Sequence, residues 1–281
     1  MAEVGAAYRD PLMALDLSSS VRALPRSHGS AGLSRDRGRL CRLHQQGCLK
    51  ILMPRIQCMR GRSEAVVVNT AGGITGGDRL ALDIHAGRGE SLTVTTQAAE
   101  RIYRSAGGAG QVSNLLTLGE GARIDWLPQE TILFEGSALE RRLSVDMAAG
   151  ATLLAAESLV FGRAAHGETL RRFHLRDHWR IRRGERLIHA EAVRLDGMPS
   201  GPATLAGVRA AATVILAAPG AEHGLDAARA AIPQGAEAGV SALPGLLVAR
   251  FLAPSAQALR AALVPLIAHF RAGPSPRVWQ L

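Results

Sequence analysis

The side chains best suited to bind a metal or move a proton fall in three places. Cys41-Arg-Leu-His44-Gln-Gln-Gly-Cys48 groups two thiols and an imidazole, soft ligands for nickel or zinc, at a spacing that matches no zinc template. His174 and His178 stand four apart, which on a helix would set both rings on one face around a shared ion. The flanking residues read as strand instead, and there four residues span about 13 Å, too far for one ion. The third place is Val68-Asn-Thr-Ala-Gly-Gly-Ile-Thr-Gly-Gly-Asp-Arg79, whose paired glycines suit an anion nest, a tight corner or a contact surface. It lacks the Gly-Lys-Ser/Thr ending of a P-loop, and Leu80 opens an alternating strand where a dinucleotide-binding turn needs a helix. Neither a Gly-x-Ser-x-Gly elbow nor a His-Glu-x-x-His pair occurs. A metal-dependent hydrolase built around Cys41 and His44 therefore stands only as an alternative.

The elements that must position these groups read mainly as β-strands. Ala65-Val-Val-Val68 is a β-branched run, and Leu80, Leu82 and Ile84 alternate with Ala81 and Asp83. Gly89-Glu-Ser-Leu-Thr-Val-Thr-Thr-Gln97 aligns with Gly121-Ala-Arg-Ile-Asp-Trp-Leu-Pro-Gln129, and Gly150-Ala-Thr-Leu153 begins the same way. A recurrence at this period suggests stacked supersecondary units in a layered, β-helix-like or sandwich-like domain. Leu170 to Leu175 and Trp179 to Ile188 continue as strands, with Gly184-Glu185 as a hairpin tip. Two helices should close the chain, one over 225–232 and one after Ser255, where Pro265 predicts a kink or a break. The expected organisation is a poorly ordered extension over 1–38, rich in Ser, Arg, Gly and Pro, followed by a single mainly β (α+β) domain over 39–281.

Charge narrows the partners. Lys and Arg number 33 against 24 Asp and Glu, a formal net charge of +9, and Lys50 is the only lysine. The arginines are spread along the chain and aromatics make up 4% of it, which weighs against nucleic acid and leaves a basic surface for an acidic protein. No run reaches the roughly 20 apolar residues that span a bilayer, and three cysteines are too few for a disulfide framework. A cytoplasmic protein is expected, with no membrane and no nucleic-acid partner.

Several longer motifs then carry a resemblance. Asn69-Thr-Ala-Gly-Gly-Ile-Thr-Gly-Gly-Asp-Arg-Leu80, Thr95-Thr-Gln-Ala-Ala-Glu-Arg-Ile-Tyr-Arg-Ser105, Trp126-Leu-Pro-Gln-Glu-Thr-Ile-Leu-Phe-Glu-Gly136, Phe161-Gly-Arg-Ala-Ala-His-Gly-Glu168 and Arg277-Val-Trp279 stand in this order. Together they resemble the UreD/UreH urease accessory family from about residue 40 to the C-terminus. The resemblance implies a non-catalytic maturation factor that joins UreF and the GTPase UreG on the urease apoprotein. It also implies that nickel passes transiently through an internal channel with no tightly bound cofactor. A path that releases its ion should be lined by carboxylates and hydroxyls. The acids within the motifs, Asp78, Glu130, Glu135 and Glu168, are the candidate lining, with Thr95 and Thr96 beside them. Glu135 stands where the family commonly has Asp, and Cys58 lacks the His that accompanies it in the family.

Overall fold

The structure is a computed structural model that describes residues 25–54, 62–163, 166–199, 201, 204–205, 207–271 and 275–280. The chain begins with three strands, β1 (His28–Asp36), β2 (Arg39–Gly47) and β3 (Leu49–Leu52). Ten more follow: β4 (Ser63–Asn69), β5 (Arg79–Ala86), β6 (Ser91–Thr96), β7 (Glu100–Ile102), β8 (Gly110–Leu118), β9 (Arg123–Leu127), β10 (Thr131–Leu133), β11 (Ala138–Met147), β12 (Thr152–Phe161) and β13 (His174–Arg183). Antiparallel strands β14 (Arg186–Asp196), β15 (Ala210–Ala217), β16 (Glu237–Leu243) and β17 (Leu246–Ala253) complete two sheets. One sheet has the order β14-β13-β11-β8-β5-β1-β2, the other β16-β17-β15-β12-β9-β6-β4-β3.

Between β4 and β13 the chain winds from one sheet to the other and lands each time parallel to its own previous turn. Strands β5, β8, β11 and β13 are parallel neighbours in the first sheet, and β4, β6, β9 and β12 in the second. Short strand β10 pairs with β7 and with the end of β12, and the two short strands form a narrow third side. This is a solenoid, and the glycine repeat of the sequence is its coil. Leu92 pairs with Ile124 and Val94 with Trp126, the same residues the repeat aligns, and Ile124 pairs in turn with Leu153. A single coil cannot bury its own apolar face, so stacking supplies the core.

Alternation decides what faces in. Leu80, Leu82 and Ile84 of β5 and Leu139, Leu143 and Val145 of β11 meet Leu92, Val94, Ile124 and Leu153 from the other sheet. The outer face of the second sheet is also buried, because helix α2 (Ala256–Arg271) lies across it. Leu259, Leu263, Leu266 and Ile267 pack there on Leu154, Val214 and Phe251. The apolar stripe of this helix thus closes a second core. Ser255 caps it, its Oγ accepting the Ala258 N–H at 3.1 Å. The shorter helix α1 (Leu225–Ala230) ends ahead of Pro233, and Arg183 and Arg186 close the expected hairpin around Gly184.

Two expectations need correction. The stretch assigned to a poorly ordered extension contains β1, which pairs parallel to β5 and antiparallel to β2; its apolar positions, Ala31 and Leu33, were too few to reveal a strand without those neighbours. Residues 1–24 of that extension lie outside the described residues. Of the kink or break expected at Pro265, the break does not occur, and helix α2 runs continuously through it. A proline removes one N–H from a helix, and here the buried face on both sides of it holds the turns together.

Candidate functional site: a motif-bearing edge and a charged interior

The glycine-rich segment is a corner between β4 and β5. A side chain at Gly73 would place its Cβ 2.3 Å from the Tyr103 ring, and one at Gly76 would come 2.0 Å from Ser105 Oγ, so close approach fixes both glycines. Asp78 holds the corner from within. Its Oδ1 accepts the Ser27 N–H at 2.7 Å and its Oδ2 the Thr75 N–H at 2.8 Å, and the residue is buried.

The other motifs gather along the narrow side of the solenoid. Asn69 Nδ2 donates to both carboxylate oxygens of Glu100 at 3.1 and 3.2 Å. Tyr103 stacks edge-on to Phe134 at 5.2 Å, and the Arg163 guanidinium lies 4.5 Å above the Phe134 ring. Glu168 accepts from Arg163 Nη2 at 3.0 Å and from the Glu135 N–H at 3.3 Å, while Glu135 accepts the Arg171 and Arg172 N–H groups at 2.7 and 3.0 Å. These backbone donors draw the Glu135 pKa down to about 2, and the Arg163 side chain lowers that of Glu168, so both remain carboxylates. Together with Tyr103, Arg104, Phe134 and Arg163 they line an open depression of about 470 Å³.

Glu130 and the two threonines sit around a clasp that holds the C-terminal segment. Arg260 Nη1 of α2 bonds Glu130 Oε1 at 2.9 Å and Gln129 Oε1 at 3.0 Å, and its guanidinium stacks on Trp279. Trp279 Nε1 donates to Thr95 Oγ1 at 3.2 Å and to the Leu127 carbonyl at 3.1 Å. Thr96 Oγ1 accepts the Gln129 N–H at 2.9 Å. Of the six residues expected to form one path, only Glu135 and Glu168 bond each other across the chain, and each of the four acids has at least one oxygen engaged by a backbone N–H or an arginine.

A charged cluster that the motif reading overlooked lies inside the solenoid. Arg141 of β11 and Asp177 of β13 are register partners that both point inward. Arg141 Nε donates to Asp177 Oδ1 at 3.1 Å, Nη1 to Thr131 Oγ1 at 3.1 Å, and Nη2 pairs with Asp177 and with Glu157 Oε2, the latter at 2.7 Å. Trp126 Nε1 donates to Glu157 Oε1 at 2.8 Å. Burial pushes the Glu157 carboxyl up, against the pull of Arg141; burial pulls the Arg141 pKa down, but Asp177 and Glu157 more than offset it, and the guanidinium stays a cation. The signal in the sequence was a charge on the apolar phase of an alternating strand: Arg141 between Leu139 and Leu143, and Asp177 between Leu175 and Trp179.

This cluster separates two cavities along the solenoid. One of about 80 Å³ is lined by Thr96, Glu100, Asn114 and Thr131 among apolar groups. The other, of about 210 Å³, has Asp177, Glu191 and Arg250. Arg141 and Glu157 line both. Glu100 is half-buried, and that burial raises its pKa to about 7 despite the bonds from Asn69.

The remaining thiol and imidazole groups do not converge. Cys41 and His44 lie on exposed β2, where His44 Nε2 bonds Ser30 Oγ at 2.9 Å, and His174 and His178 occupy the exposed face of β13. Cys58 lies outside the described residues. Among the described residues no three His, Cys, Asp or Glu side chains are grouped to hold a metal ion, and no helix is long and apolar enough to cross a membrane.

The convergence of the motifs on one edge and clasp is matched by the comparisons with known proteins. The family described as UreD urease accessory protein matches residues 27–280. The chain belongs to the UreD urease accessory protein family. It is 47% identical over 271 residues to the urease accessory protein UreD of Chelativorans sp. (strain BNC1), covering 94% of this chain and 97% of that one. The UreD proteins of Dinoroseobacter shibae and Jannaschia sp. (strain CCS1) are each 50% identical, covering 86% of this chain and 86% and 91% of theirs. The UreD match begins at residue 27, one residue ahead of β1, so the first strand belongs to the family's fold as well.

Proposed function

We propose that this protein is a non-catalytic maturation factor that brings UreF and UreG to the urease apoprotein in the cytoplasm and conducts nickel toward the urease site through the solenoid interior. The observation that carries the reading is the pair of cavities on either side of the charged cluster, which share Arg141 and Glu157 as lining. Besides Arg141, Arg250 and the amides of Asn114 and Gln129, their polar lining is of carboxylates and hydroxyls, oxygen donors that hold a divalent ion without the thiolate and imidazole sets that would retain it. The proposed path runs by Thr96 and Glu100 to Glu157 and Asp177 and on to Glu191. Arg141 does not close it to a cation, because its single charge faces two buried carboxyl groups. Asp78, Glu130, Glu135 and Glu168 belong to the proposal as the residues that hold the walls, and Thr95 as the anchor of the C-terminal segment. Nickel is cargo here, so a modest affinity serves transfer better than a tight one.

The test is urease activity and bound nickel in cells carrying the whole urease gene set, with and without this gene, and with Glu100→Gln or Glu157→Gln. Both quantities should collapse without the gene while apo-urease is still made. Each Gln variant should fold and reduce activation at limiting nickel. Unchanged activity without the gene would reject the maturation role, and unchanged activity in both variants would reject the path alone.

A further inference from the structure

Among the described residues nothing covers the outer face of the first sheet, while that of the second lies under α2. Register places its residues in rows across the strands. One row is Arg79, Gln111, Glu140, Arg176 and Arg194; the next carries Arg142 beside His178; a third carries Asp83, which is paired to Arg42, then Leu115, Ser144 and Arg180; and a fourth sets Asp146 beside Arg182. Arg182 continues the series along β13. Arg176 and Arg194 are directly opposed across the β13–β14 pair, a like-charge arrangement that destabilises a sheet and is offset only by Asp196, which pairs with Arg194 and bonds the His174 ring that Arg176 donates to. Among the described residues, Arg79, Arg142, Arg176, Arg180 and Arg182 have no carboxylate within ion-pair distance; Arg194 alone has one, Asp196 at 2.9 Å. Over β1, β2, β5, β8 and β11 the face forms a trough of about 690 Å³ lined by Gln46, Arg79, Gln111, Ser113 and Arg142, with Glu140 as its one carboxylate among the described residues.

Two further features select the kind of partner. Leu115 and Leu187 project from the same face among the arginines, each 38% exposed. Arginine with apolar anchors is the composition of protein interfaces, whereas a nucleic-acid platform needs aromatic rings, and the strands present none on this side. The five strands β5, β8, β11, β13 and β14, each about 4.8 Å wide and about nine residues long, span roughly 700 Å², close to one partner's share of a standard interface.

We infer that the outer face of β5, β8, β11, β13 and β14 is a docking surface for an acidic protein surface, with an extended acidic segment lying in the trough between Arg79 and Arg142. The excess of unpaired arginine is the complement such a partner supplies, and its carboxylates relieve the repulsion that the free sheet bears. That the partner belongs to the urease assembly rests on the function proposed above; the face and its charge do not.

The experiment titrates the purified full chain, wild type and Arg176→Glu/Arg180→Glu, against purified urease apoprotein, UreF and UreG in turn over a range of salt. A short DNA duplex and phosphatidylserine vesicles serve as further probes. The double reversal should weaken one of the three proteins by about tenfold or more and flatten the salt dependence of its association. The exposed control Arg88→Glu should change nothing. Arg176→Gln should weaken the same partner while the free chain melts no lower than wild type, since a like-charge pair has been removed; a fold defect would lower both. Equal binding of all three by wild type and double reversal would overturn the docking surface and leave the maturation role standing. A wild-type chain that binds none of the three would overturn the urease partner and the maturation role together. Binding of DNA or vesicles near physiological salt, lost in the double reversal, would overturn the protein partner in favour of that surface.

Discussion

Arg141→Met would test whether the interior charges are held as a set. Arg141 contacts Asp177 through Nε and Nη2, Glu157 through Nη2 and Thr131 through Nη1, and all four groups are buried. Methionine fills most of the volume but leaves two carboxyl groups with no cation, a loss of about 3–5 kcal/mol for a broken buried pair. At about 2 °C per kcal/mol for a chain of this length, the midpoint should fall by roughly 6–10 °C. Without the guanidinium, burial, already the largest influence on Glu157, holds its folded pKa further above the unfolded value. Stability tied to a raised pKa is present below the unfolded pKa and lost as pH rises, so the deficit should be largest near pH 8 and shrink toward pH 5. Urea unfolding at several pH values, followed by tryptophan fluorescence, reads this directly, since Trp126 donates to Glu157 and Trp179 lines the adjoining cavity. Arg141→Met/Glu157→Gln/Asp177→Asn should recover most of the loss. A deficit under about 1 kcal/mol at pH 8, or one that grows on acidification, would refute the account.

The other expectations follow from single contacts. Glu100 carries a folded pKa of about 7 against an ordinary 4.5, so its ionisation weakens the fold as pH rises between those values; Glu100→Gln should stabilise the protein by on the order of 2 kcal/mol at pH 8 and by nothing near pH 4, measured by urea midpoints. Leu263→Ala should cost about 2–5 kcal/mol, because this face of α2 is a core, and a loss below about 1 kcal/mol would place it at a surface instead. Gly76→Ala should lower the melting temperature, since its Cβ would stand 2.5 Å from the Gly107 carbonyl oxygen as well as against Ser105. Asp78→Ala frees two N–H groups and should cost about 2–4 kcal/mol; if urease at limiting nickel nonetheless stays fully active, Asp78 has no part in the path.

The sequence by itself determined the coil. Alternation set which side of each strand is apolar, and the glycine turns recurring at residues 89, 121 and 150 already held the register that pairs Leu92, Ile124 and Leu153. The closing helix and its Ser255 cap were equally local, because a cap and an apolar stripe depend on residues three or four apart. What only the tertiary structure decided depends on partners far along the chain. His28–Asp36 became a strand through the edge of β5, and Pro265 stayed within a helix through the sheet beneath it. The same holds for the acids. Local motifs marked Asp78, Glu130, Glu135 and Glu168, but folding supplied each with a backbone or arginine donor, from Ser27 to Arg260. Arg141, Glu157 and Asp177 belong to three strands and no common motif. Only the winding of the solenoid brings them to one point, where burial makes their charges matter.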